Sequence, residues 1–230
     1  MRTPAIAAAG LAAAALLAGC GASDNSAAPS TRGADPVATA PANPAATRMD
    51  PVDCTTTPPP GQVVRTGYGL DYPAGEMHIG MTPLDGAPPV CVTFAKSGPV
   101  DPQVPPDAIL FTFAGPGGEG GQIEFEAVAL TGGILPHLGN GVIPWVGPLD
   151  HPIAARVGLS IDGRYYAGDQ CTLLLTQVTQ IGASGRFDCP TAALMPGNTF
   201  KPDDDVDYNV DDTVPPAPVA ALGGWFTLRR

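Results

Sequence analysis

The chain has 230 residues, with Lys+Arg 11 against Asp+Glu 22, a formal net charge of −11 and 44% hydrophobic residues. An acidic balance of that size argues against nucleic acid as a partner and against electrostatic attachment to anionic lipid headgroups. Glycine (29) and proline (28) together make about a quarter of the chain, and both interrupt regular structure, so long helices are not expected.

The first element in chain order is apolar and short. One basic residue, Arg2, precedes a nearly unbroken apolar run from Ala5 to Leu17, the arrangement of a secretory leader. About thirteen residues cannot span a bilayer, which needs about twenty. The run closes on Leu17-Ala18-Gly19-Cys20. This tetrapeptide resembles the lipobox of bacterial lipoproteins, in which a branched apolar residue and two small ones precede a cysteine. The resemblance covers only about the first twenty residues. It implies that residues 1–19 are removed, that the sulfur of Cys20 carries a diacylglyceryl group, and that the new amine is open to acylation, as by palmitate. The implied location is the extracytoplasmic face of the cell membrane, with the membrane itself as partner through the acyl chains. Two or more chains anchor stably where one does not. Loss of Arg2 with the leader takes the balance from −11 to −12, so the acyl chains are expected to anchor without electrostatic help. An ordinary cleaved leader of a secreted protein is the alternative.

From Cys20 to Val52 the chain is Ala, Pro, Ser, Thr, Asp and Asn with almost no large apolar residue. Such a stretch cannot bury enough surface to offset its ordering entropy, and it reads as a disordered tether with a root-mean-square span of about 30 Å. Residues 53–230 alternate as strands do. Val90, Val92 and Phe94 share a face opposite Cys91, Thr93 and Ala95. Ile109, Phe111 and Phe113 alternate with Leu110 and Thr112, and Ile123, Phe125, Ala127 and Ala129 oppose Gln122, Glu124 and Glu126. Val157, Leu159 and Ile161 lead into Asp162-Gly163, a two-residue hairpin signal with a return over Arg164–Ala167. A further strand is expected over Thr172–Thr179, a turn at Gly182 and Gly185 toward Arg186–Cys189, and a last strand at Trp225–Leu228. Short strands at this spacing predict a single all-β domain, an antiparallel β-sandwich or barrel. The spacing of Cys91 and Trp145, and Asp169 two residues before Cys171, do not fit an immunoglobulin pattern.

Cys20 apart, the chain holds Cys54, Cys91, Cys171 and Cys189. Four cysteines in an exported chain read as two disulfides, for which three connectivities exist. A strand and its return bring Cys171 to Cys189, which leaves Cys54 to Cys91. No pair has the C-x-x-C spacing of zinc or redox sites.

Candidate sites are weak. The loop Gly115-Pro116-Gly117-Gly118-Glu119-Gly120-Gly121 lacks the lysine of a phosphate loop and carries Glu119, so it reads as a flexible hairpin connection. Asp203, Asp205 and Asp207, in an acidic run from Asp203 to Asp212, are the weak metal candidates, with calcium the cation that such oxygens suit. With Asp203 at the first position of an EF-hand, the sixth and twelfth hold Tyr208 and Val214 instead of Gly and Glu, so a solvated loop is the plainer reading. Ser184, between Ala183 and Gly185, only partly resembles a nucleophile elbow. His78, His137 and His151 are the imidazoles open to base catalysis, in no recurring spacing. Trp145, Tyr165, Tyr166 and Trp225 are cleft-lining candidates whose plainer role is packing. No cluster amounts to a catalytic site or requires a cofactor. The sequence therefore favours a lipid-anchored binding or envelope-interaction module that is not an enzyme, with a histidine-dependent exported hydrolase and a calcium-stabilised adhesive domain as alternatives.

Overall fold

The computed structural model describes residues 46–64, 69–105, 107–131, 145–146, 149, 151–201 and 217–230. Its strands are β1 (Thr47–Met49), β2 (Val63–Val64), β3 (Ala74–Pro83), β4 (Val90–Ser97), β5 (Gln103–Val104), β6 (Ala108–Ala114), β7 (Gly120–Glu126), β8 (Trp145–Val146), β9 (Ile153–Ile161), β10 (Arg164–Thr179), β11 (Gly182–Met195) and β12 (Pro218–Arg229). There is no α-helix among the described residues.

Eight of these strands close into an antiparallel barrel. Each of β3, β4, β6, β7, β9, β10, β11 and β12 pairs with the next, and β12 pairs back with β3 over ten residues from Ala220↔Pro83 to Arg229↔Ala74. The seam is the β4–β6 pairing, only Ala95↔Ala114, Lys96↔Phe113 and Ser97↔Thr112. Where these two strands part, β1 pairs with β4 at Cys91–Thr93 and β5 pairs with β6 at Ala108 and Ile109. Closure with small covering strands removes the exposed edges that an open sheet would present.

The two-residue period of the strands sorts the side chains. Met77, Ile79, Val92, Phe94, Ile109, Phe111, Phe113, Ile123, Val157, Leu159, Leu173, Leu175, Phe187, Leu222 and Phe226 face inward and are buried. Phe111 sits at the centre, its ring 6.0 Å from Tyr72, 5.9 Å from Phe125 and 5.5 Å from Phe226. Tyr72 closes one end of the barrel with its hydroxyl donating to the Thr179 carbonyl at 2.6 Å, and burial pushes its phenol pKa well above the usual range. Gly224 is required by this packing, because a Cβ there would lie 2.0 Å from the His78 carbonyl oxygen.

Both disulfides pair as the sequence predicts. Cys171 and Cys189 join β10 to β11 inside the barrel, with Cα atoms 4.2 Å apart, and Cys54 and Cys91 lie 5.9 Å apart on the outside. The hairpin at Asp162-Gly163 is also present, with positive φ at both residues (50° and 75°) as a type I′ turn needs.

Several expectations need correction. Residues 47–49 pair with β4 and Pro51–Thr55 form a 3-10 turn, so the folded domain reaches back at least to Ala46 instead of beginning after Val52. The physical reason is polar: hydrogen bonds and the Cys54 bridge hold a segment with little apolar surface of its own. Strand β3 is missed altogether, because Pro73, Gly75, Gly80 and Pro83 in and around it look like turn chemistry. The strand expected to run to Ala129 stops at Glu126, where a 3-10 turn Ala127–Thr131 begins. Arg164–Ala167 and Thr172–Thr179 are one strand interrupted by a register shift between Gly168 and Cys171. Gly182 and Gly185 do not turn the chain. The reversal is at Gln180 and Ile181, and both glycines lie within β11, where Gly185 has the Leu174 carbonyl 2.9 Å from the place of a Cβ.

Candidate functional site

The glycine-rich loop proves to be held down. Pro116–Gly118 form a 3-10 turn, Gly117 and Gly118 have positive φ (70° and 78°), and Gly120 and Gly121 already belong to β7. Glu119 is buried and accepts from the backbone N–H of Ala46 at 2.9 Å and of Asp162 at 3.1 Å. Arg48 lies 3.8 Å from the Glu119 carboxylate and donates to Asp162 at 2.7 Å. Glu119 thus clasps the start of the folded domain to the mouth of the barrel. Its charge is used on backbone donors, a role that its sequence context does not announce. Beside it, Asn198 Nδ2 donates to Ser160 Oγ, which donates to the Gly118 carbonyl.

Among the described residues the serine and histidine candidates do not meet. Ser184 is buried in β11 with its hydroxyl 2.8 Å from that of Thr176. His78 is on β3, with β12 between the two strands. Its ring stacks on Trp225 with centroids 3.9 Å apart and planes 10° apart, and Nδ1 lies 3.2 Å from the Thr93 hydroxyl. Nε2 is buried, without a hydrogen bond, 3.6 Å from the Glu76 carboxylate. His151 is exposed just before β9. His137 and the acidic run with Asp203, Asp205 and Asp207 lie outside the described residues, as does Cys20. The aromatic candidates are also dispersed. Tyr165 covers Gly158 on the outer surface, Tyr166 belongs to the core, Trp225 is two strands from Tyr165, and Trp145 is described only as backbone in β8. Burial raises the Tyr165 phenol pKa, consistent with a packed side chain.

A groove that no sequence motif announces lies on the outer face of the barrel. Two rows of outward residues cross β4, β3, β12 and β11 there. One is Cys91, Gly80, Gly223 and Asp188, and the next is Thr93, His78, Trp225 and Arg186. In the first row the two central strands present hydrogen instead of a side chain, which leaves a trough floored by backbone. The 3-10 turn Pro51–Thr55 forms one wall. Asp50 starts it by accepting from the Val52 N–H at 3.1 Å, Pro51 fits its first turn, the Cys54–Cys91 bridge bolts it to β4, and Trp225 Nε1 donates to the Asp53 carbonyl at 2.7 Å. Arg186 and Asp188 of β11 form the opposite wall. The trough, half open to solvent, has a volume of about 320 Å³, at the lower end of small-molecule sites.

The two floor glycines have different reasons. At Gly80 a Cβ would lie 3.3 Å from the Cys54 Cβ, so this glycine lets the disulfide sit close. At Gly223 a Cβ would meet nothing nearer than an Asp188 carboxylate oxygen at 3.6 Å. Packing does not require glycine there.

Comparison of the chain with protein-family models, curated proteins and solved structures returns no match.

Proposed function

We propose that the chain is a lipid-anchored, extracytoplasmic binding module whose ligand site is the outer groove of the barrel. The observation that carries this reading is that a disulfide builds the site: Cys54–Cys91 fixes the wall of the groove. A site that depends on such a bond suits an oxidising compartment, in keeping with a leader that ends in Leu17-Ala18-Gly19-Cys20. The side chains around the groove combine apolar contact with two opposite charges, and the hydroxyl–imidazole contact beside it, Thr93 to His78, is covered by Met49 and Trp225, which favours binding over hydrolysis.

Replacing Cys20 by alanine tests the anchor. Cys20→Ala is expected to move the protein from the membrane fraction to the soluble fraction or medium and to abolish labelling by a clickable fatty acid. A variant that is still labelled and still membrane-bound would refute the lipid anchor.

A further inference from the structure

We propose that the groove takes a short peptide with free termini, its ammonium held by Asp188, its carboxylate by Arg186, and its backbone laid along β11 beside Gly223. This deepens the binding-module reading and rests on it. Gly223 is the starting point. It lies within a strand, its φ is not in the positive region, and a side chain would fit without collision. Glycine weakens a strand that could accept any residue. Its effect here is to keep the trough open.

The charges give the ligand its polarity. Arg186 and Asp188 are both exposed, and neither side chain makes an ion pair or hydrogen bond among the described residues. They stand two residues apart on one face of β11, about 6.7 Å at strand rise. Two extended peptide residues span about 7 Å. A dipeptide-sized zwitterion therefore spans the pair, whereas a simple anion would meet the Asp188 carboxylate overhanging the floor. The facing wall, Pro51 and the Cys54–Cys91 bridge, with Val90 beside it, offers apolar contact to a ligand side chain.

Calorimetric titration of the purified full chain with L-leucyl-L-alanine, its N-acetyl form and its C-terminal amide tests this directly. The free dipeptide should bind saturably, and each capped form should bind at least about tenfold more weakly, the usual cost of losing one charge-assisted contact. Gly223→Leu should keep the thermal transition and lose binding. Asp188→Asn should weaken the free dipeptide but leave the N-acetyl form nearly unchanged, and Arg186→Gln should do the same for the amide. If Gly223→Leu fails to fold, these two charge variants still decide the matter. Absence of saturable heat with the wild type at millimolar dipeptide, equal binding by the capped forms, or undiminished binding by folded Gly223→Leu would each overturn the proposal. Fatty-acid labelling of Cys20 is scored independently, so failure of the peptide site and failure of the anchor are distinguishable.

Discussion

Phe111→Ala is expected to lower the unfolding free energy by about 3–5 kcal/mol, because it deletes the ring at the centre of the barrel. Tyr72, Phe125 and Phe226 all contact that ring, and each is held by its own strand or end closure. A closed barrel cannot simply slide a strand inward to refill the space, so most of the cavity should persist. For a domain of this size the melting temperature should fall by roughly 10 °C. Urea denaturation followed by circular dichroism checks the value. Ile181→Ser, at a hairpin position 71% exposed, is the control and should change stability by no more than about 0.5 kcal/mol. A loss below about 1 kcal/mol for Phe111→Ala would mean that the interior is not packed as described.

The second large effect belongs to Cys171 and Cys189. They face each other across β10 and β11 inside the barrel, 18 residues apart in sequence. Closing a loop of that length is worth about 3 kcal/mol in the chain-entropy model, and Cys171→Ala/Cys189→Ala also empties volume beside Gly168. The double variant should therefore lose about 3 kcal/mol or slightly more in the same urea measurement. The Cys54–Cys91 bridge spans 37 residues, so by the same model its removal costs about 4 kcal/mol, and it should also release the 3-10 turn that walls the groove. A Cys171→Ala/Cys189→Ala protein as stable as wild type would show that the hairpin connection already does the work of the bond.

Legibility in the sequence followed the chemistry of each element. β6, β7 and β9 could be read because their apolar residues alternate strictly with polar ones or with residues of the opposite face, and Asp162-Gly163 carried its own turn signal. β3 carries the same alternation, Met77, Ile79 and Met81 against Glu76, His78, Gly80 and Thr82, but Pro73, Gly75, Gly80 and Pro83 in and around it read as turn chemistry and mask it. The choice between sandwich and closed barrel turned on three residue pairs between β4 and β6, a contact with no local signature. The cysteine pairing was legible because a strand and its return explain one bridge and exclusion the other. The groove was not. Gly223 gains its meaning only from Pro51–Thr55 lying beside it, and those residues are 168 or more positions away in the chain. Glu119 argues against phosphate from its charge alone, but its clasp on Ala46 depends on the fold.

The central claim, an exported lipid-anchored barrel whose disulfide builds its binding groove, is tested most directly by one mass measurement. Protein extracted from membranes, alkylated without reduction and digested, should yield an N-terminal peptide that begins at a diacylglyceryl Cys20, together with linked peptides joining Cys54 to Cys91 and Cys171 to Cys189. An unmodified Cys20 with the leader still attached, or alkylated Cys54 and Cys91 in the native protein, would contradict it.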